Sequence, residues 1–179
     1  MINHSKIFIS SVLIIVMLFT IWGFNVPEAR AAIAFDAATS SGTQTVASSV
    51  SFSHTATGLE VALVVGCAMD DTGADGDITN VTWDGNAITN PSLRAGDTTD
   101  ENLSTEIWYG TNITTGTKTV AVTMVGTVTE FQCYAATFSG VDTTDAKDAQ
   151  NSAIGNPSAA DPSVTVTTVA ANAMIIDTM

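Results

Sequence analysis

The sequence predicts an all-β protein whose antiparallel strands stack as a sandwich, preceded by an N-terminal signal helix. Three observations carry this expectation. From Ala32 onward apolar residues recur with period two rather than 3.6. The connections between these runs are built from Gly, Asp, Asn, Thr and Ser, the residues that turns select. Residues 61–69, Val-Ala-Leu-Val-Val-Gly-Cys-Ala-Met, hold no charge and are rich in β-branched side chains. That run is too short for a helix of ordinary length and reads as a central strand buried on both faces.

Residues 1–31 come first. Lys6 stands in a short basic head, residues 7–24 form an apolar run, Pro27 breaks it, and Ala29-Arg30-Ala31 fits the small-x-small cleavage rule. This is the pattern of a signal peptide cut after Ala31. The apolar run would be about 27 Å long as a helix, so a retained membrane anchor is the alternative. With no cysteine at the cleavage site, a lipoprotein is excluded. Residues 32–179 then make one domain, large enough to bury a core.

Within it, Val46, Ser48, Val50 and Phe52 alternate with Ala47, Ser49, Ser51 and Ser53 as in a half-buried strand. Val120, Val122 and Met124 repeat the device, and so do Val164 and Val166 between threonines. Val81-Thr82-Trp83 and Asn86-Ala87-Ile88-Thr89 flank Asp84-Gly85, a pair that supplies the positive φ angles of a type I′ hairpin turn. Residues 103–109 and 130–138 bring the candidates to about nine strands. The chain stops in the strand-like run 173–179, which predicts either a domain cut short at its C-terminus or an edge strand that something else completes.

Five basic residues stand against eighteen acidic ones, a formal net charge of −13. Loss of Lys6, Arg30 and Glu28 with the signal would leave three basic residues, Arg94, Lys118 and Lys147, against seventeen acids. Such a surface repels phosphate backbones and anionic lipid, so nucleic acid and stable membrane insertion of the mature chain are not expected. Cys67 and Cys133 both lie in apolar strand-like runs. In an exported chain they form one disulfide or remain two buried thiols.

Few residues suggest chemistry. His54 is the single histidine of the mature chain, placed to be a structural imidazole at the end of the 46–52 face. A carboxylate pair drawn from Glu60, Glu106 and Glu130 would suit a glycosidase, yet no nucleophile elbow, zinc-binding helix motif or phosphate loop is present. Trp83, Trp108 and Tyr109 are the candidate ligand-binding aromatics, able to stack on a sugar ring or anchor a partner; the alternative is that they fill the core. Asp70, Asp71, Asp75 and Asp77 crowd one turn after the central strand and are the candidate calcium ligands, although the spacing is not that of a regular calcium loop. Ca2+ is accordingly the one candidate cofactor.

The order Cys67, Trp83, Cys133 resembles the immunoglobulin pattern, with Phe131 standing where a tyrosine corner would have Tyr. A closer likeness spans most of residues 44–179. It is carried by Phe52-Ser-His-Thr, residues 61–66, residues 81–89, Glu106-Ile-Trp-Tyr, Phe138-Ser-Gly-Val-Asp142, Val164-Thr-Val-Thr and Asn172-Ala-Met-Ile-Ile. This succession is similar to β-sandwich modules, jelly-roll-like or immunoglobulin-like, of secreted, surface and phage-associated bacterial proteins. The resemblance implies fold and location more than function, since none of these motifs is a catalytic signature. The expectation from the chain as a whole is a secreted or cell-surface module for adhesion or for binding carbohydrate or another ligand, with surface glycans or surface proteins as partners and no enzymatic activity. A surface-layer or filament subunit assembled by strand pairing is the alternative, followed by an acid-pair glycosidase.

Overall fold

In a computed structural model, residues 32–70, 77–96, 103–153, 163–170 and 172–178 are described, with 90–96 followed through their backbone. Residues 1–31, on which the expected signal peptide falls, lie outside this set. The described chain is all-β, and its strands are β1 (Ala34–Ala56), β2 (Ala62–Asp70), β3 (Ile78–Trp83), β4 (Asn86–Ala87), β5 (Asn90–Gly96), β6 (Leu103–Thr111) and β7 (Gly116–Ser139). All pair antiparallel in one seven-stranded sheet, ordered β4-β3-β7-β2-β6-β5, with β1 along the other edge of β7.

The sheet is organised by β7 rather than by β2. Along one edge β7 pairs with β1 for nearly its whole length; along the other it pairs first with β3 and then with β2. It thus carries two wings, β3-β4 on its N-terminal half and β2-β6-β5 on its C-terminal half. Side chains of both wings and of β7 share one buried cluster, including Val81 and Trp83 from the first wing, Leu63, Val65 and Trp108 from the second, and Val120, Val122 and Phe131 from β7.

Those two wings meet because the β1-β7 ribbon curls. A straight strand rises about 3.3 Å per residue, so Thr39 and His54 would stand roughly 50 Å apart, yet His54 Nδ1 lies 2.9 Å from Thr39 Oγ1. The bending has local causes. Register shifts interrupt the β1 ladder at Phe35/Ala37, Ser40/Thr43 and Ala47/Ser49, and Gly42 and Val46 take φ angles of 70° and 50°. Bulges of this kind bend a strand and raise its twist.

The same irregularities correct the sequence reading of β1. The shift at Ala47/Ser49 reverses which residues face inward, so Val50, His54 and Ala56 are buried while Val46 points to solvent. For β2 the expectation of burial on both faces is also corrected. Leu63, Val65, Cys67 and Met69 are fully buried on the inner face, whereas Val64, Gly66 and Ala68 are half-buried on the outer one. The Asp84-Gly85 turn follows its sequence signal, with φ angles of 52° and 80°, and Lys118 Nζ donates to Asp84 Oδ2 at 2.8 Å.

After β7 the pattern changes. Gly140 turns the chain with φ of 69°, its N–H donates to the Leu59 carbonyl, and Val141 N–H donates to that of Glu60. Val141 and Ala146 then pack with Ala62, Val64, Ala136 and Phe138 on the outer face of the β2 wing. The described residues of 140–178 contain no strand, so the expected strand at Val164/Val166 is not formed, nor is one over 173–178. Among the described residues seven strands are formed, where about nine were expected.

Candidate functional site

The polar residues that the curl brings together lie where the ends of β1 meet β7. His54 is buried on the inner face, and its two ring nitrogens face Thr39 Oγ1 at 2.9 Å and Thr137 Oγ1 at 3.2 Å. The Thr137 hydroxyl donates to Asp36 Oδ2 at 2.8 Å. Asp36 also accepts from the Thr57 amide at 2.7 Å and from the Thr57 hydroxyl. Asp36 is held below the ordinary carboxylate range, first by the Thr57 hydroxyl; burial opposes this, and the Thr57 amide, Thr137 and His54 add to it. Burial lowers the His54 pKa from its ordinary value, with the Asp36 charge pulling the other way. Every ring nitrogen has a partner, which suits a structural imidazole.

A second polar set lies on the inner face of β6, where Ser104, Glu106 and Trp108 alternate inward. Glu106 Oε1 accepts from Trp108 Nε1 at 2.7 Å, and Oε2 accepts from the Ile78 amide at 3.1 Å. The carboxylate thereby ties β6 to the start of β3. Period-two reading of β6 already places Glu106 on the Trp108 face, a signal from which its burial was legible. Glu60 and Glu130 are exposed, so the structure does not gather the three glutamates into one constellation.

The candidate aromatics are redistributed. Trp83 is 3% exposed and Trp108 7%. Trp83 Nε1 donates to the Thr114 carbonyl at 2.9 Å, and its ring meets His54 edge-on at 6.0 Å. Neither indole offers a face to solvent: both complete the core, the alternative already open for them. Tyr109 is half-buried on the outer face of β6, in register with Val64.

Sequence reasoning missed two outward aromatics. Phe35 is 60% exposed and packs edge-on against Phe138 at 5.9 Å. Tyr134 is 51% exposed on β7, in register with Gly66. Period two within residues 130–138 places Tyr134 opposite to Phe131 and Cys133, so its outward position was readable. Phe35 was not, because it precedes the bulges. With Val64, Ile107 and Tyr109 these rings make an apolar outer face, at which Thr178 comes close enough to Gly66 that a Cβ there would lie 3.7 Å from it.

Cys67 and Cys133 are joined in a disulfide. They stand directly opposite each other on β2 and β7 of one sheet, whereas the immunoglobulin pattern bridges two sheets. Of the candidate calcium ligands, Asp71 and Asp75 lie outside the described residues. Asp70 is exposed at the end of β2, in register with Glu130, and Asp77 accepts the Val125 amide through its carbonyl. Among the described residues no group of three or more His, Cys, Asp or Glu is placed to hold a metal ion. Compared with known protein families, curated proteins and solved structures, the chain matches none.

Proposed function

We propose that the chain is an exported, extracellular or cell-surface module whose complete layering is a β-sandwich, and that it works by adhesion or ligand binding rather than catalysis. The observation that carries this reading is the outward placement of Phe35 and Tyr134 beside Tyr109 on a sheet face, while both tryptophans are consumed by the core. Exposed rings on a sheet face supply contact area and stack on sugars or anchor a protein partner. The test is binding of the exported protein to a glycan array and to cell surfaces. Tyr134→Ala and Phe35→Ala are expected to reduce binding at least tenfold with the melting temperature little changed. Unchanged binding by both variants would remove the outer face from consideration.

A second reading, a surface-layer or filament subunit assembled by strand pairing, draws on residues 172–178. Met174, Ile175 and Ile176 are exposed, Ile175 to 67%, and belong to no strand. The outer edge of β1 is likewise unpaired among the described residues. Light scattering against concentration separates the two readings: a module keeps a constant mass, and a subunit grows.

A further inference from the structure

The first sixteen residues of β1, 34–49, include no fully buried side chain, and the first buried position is Val50. Besides its ladder to β7, this arm is held by the edge contact of Phe35 with Phe138, by half-buried Ala47 against the core, and by polar bonds. Ser40 Oγ accepts from Gln132 Nε2 at 2.8 Å, Ser41 Oγ accepts from the Cys133 amide at 2.9 Å, and Asp36 and Thr39 belong to the His54 network. Segments with few buried apolar contacts open at lower free energy than the core.

The network also fixes the state of the imidazole. A threonine hydroxyl has one hydrogen. That of Thr137 is committed to Asp36 Oδ2, so towards His54 Thr137 can only accept. Nε2 must therefore carry the proton. Nδ1, left with a lone pair in the neutral ring, accepts the hydroxyl hydrogen of Thr39. The carboxylate at one end thus sets the tautomer that bonds the arm at the other.

Protonation of Nδ1 would reverse the last of these bonds, the Thr39 hydroxyl having to turn so that its oxygen accepts from the ring. It would also place a cation where the side chain is buried. The charged groups around the ring do not cancel that cost. Asp36, on β1, is separated from it by the Thr137 hydroxyl. Lys118, opposite His54 in the β7 register, carries a like charge, and its Nζ is engaged by Asp84 at the turn after β3.

We propose that His54 is an acid-sensitive latch: the neutral Nε2–H imidazole, bridged between Thr39 and Thr137, holds the 34–49 arm in the curled sheet, and its protonation releases that arm while β2, β3 and β7 remain paired. The direction follows from linkage. Opening the arm removes part of the burial and moves the imidazole back towards its ordinary value of about 6.5, whereas burial holds it lower when the arm is closed. Between those values the open state binds more protons, so closure is favoured as pH rises and weakens as pH falls through the window below about 6.5. Asp36, whose pKa is lowered in the fold, withdraws its contribution only in stronger acid, below about 4.

The experiment is amide exchange of the full chain from pH 8 to pH 5, corrected for the chemical exchange rate and followed by peptide. The opening constant of 34–49 is expected to rise by up to about tenfold per pH unit, the limit for one proton, while peptides from β2 stay protected. In His54→Gln this rise should vanish. The same pH slope in His54→Gln, or β2 opening in step with the arm, overturns the proposal. Imidazole nitrogen shifts of the wild type at pH 8 provide a check that needs no variant: the Nε2–H tautomer is expected, and the Nδ1–H tautomer refutes the relay.

Discussion

Residues 116–124 and 163–170 are two stretches of nearly the same chemistry with different outcomes. Each alternates valine with small or hydroxylated residues, and period two predicts a strand in both. In the first, Val120 and Val122 are fully buried and the backbone is paired on both sides, by β1 and by β3. In the second, Val164 and Val169 are exposed and no strand forms. The contacts there are of another kind: Asp148 accepts from the Val169 and Ala170 amides, and Asn151 donates to the Thr165 carbonyl. Alternation makes a segment able to be a strand; neighbours with free backbone groups make it one. Among the described residues the curled ribbon supplies such neighbours to 116–124 and none to 163–170.

Substitution should expose this difference most sharply at matched valines. Val122→Asp buries an unpaired charge, costs several kcal/mol against a total stability of about 5–15 kcal/mol, and should abolish the cooperative transition in urea. Val164→Asp should stay within about 0.5 kcal/mol of the parent. Equal loss from both would show that the second stretch is packed as the first is.

The disulfide ranks next. Cys67 and Cys133 are 66 residues apart in sequence, and removing both as Cys67→Ala, Cys133→Ala should cost about 4 kcal/mol in the chain-entropy model. Calorimetry of oxidised and variant protein measures this. Exchange of residues 163–178, which lie outside the loop, should be the same in both.

A smaller effect is expected at the buried carboxylate. Trp108→Phe keeps most of the ring volume but deprives Glu106 Oε1 of its indole donor, a loss of about 1–3 kcal/mol. Because Glu106 also holds the Ile78 amide, the variant should loosen the start of β3 more than the 163–170 stretch, as amide exchange would show. Ser51→Asp, on the exposed side of β1, should change the melting temperature least of all. If it matches Val122→Asp, the assignment of inner and outer faces on the ribbon is wrong.

How far the fold was legible follows from how local its causes are. The turn at Asp84-Gly85 is set by two residues, and β2, β3 and β6 by their own runs, so each could be read directly. The inner positions of Ser104, Glu106 and Trp108 follow from period two within a single strand. Val46 was misplaced because a bulge adds a residue without a sequence marker strong enough to announce it. The Asp36–Thr137–His54–Thr39 network was out of reach, since it joins residues up to 101 positions apart through a curl that arises from several bulges together. The roles of Trp83 and Trp108 depended on which faces become interior, a property of the wings as a pair rather than of either strand.

The contrast between paired and unpaired stretches is tested most directly by residue-resolved amide exchange of the full chain at neutral pH. The amides of Val120, Val122 and Met124 should exchange only through near-global opening, with protection of many orders of magnitude. Those of Val164, Val166 and Ile175 should exchange close to the rate of an unstructured peptide. Protection of Val164, Val166 and Ile175 equal to that of Val122 would contradict the claim that partner strands, and not alternation, decide where the sheet forms.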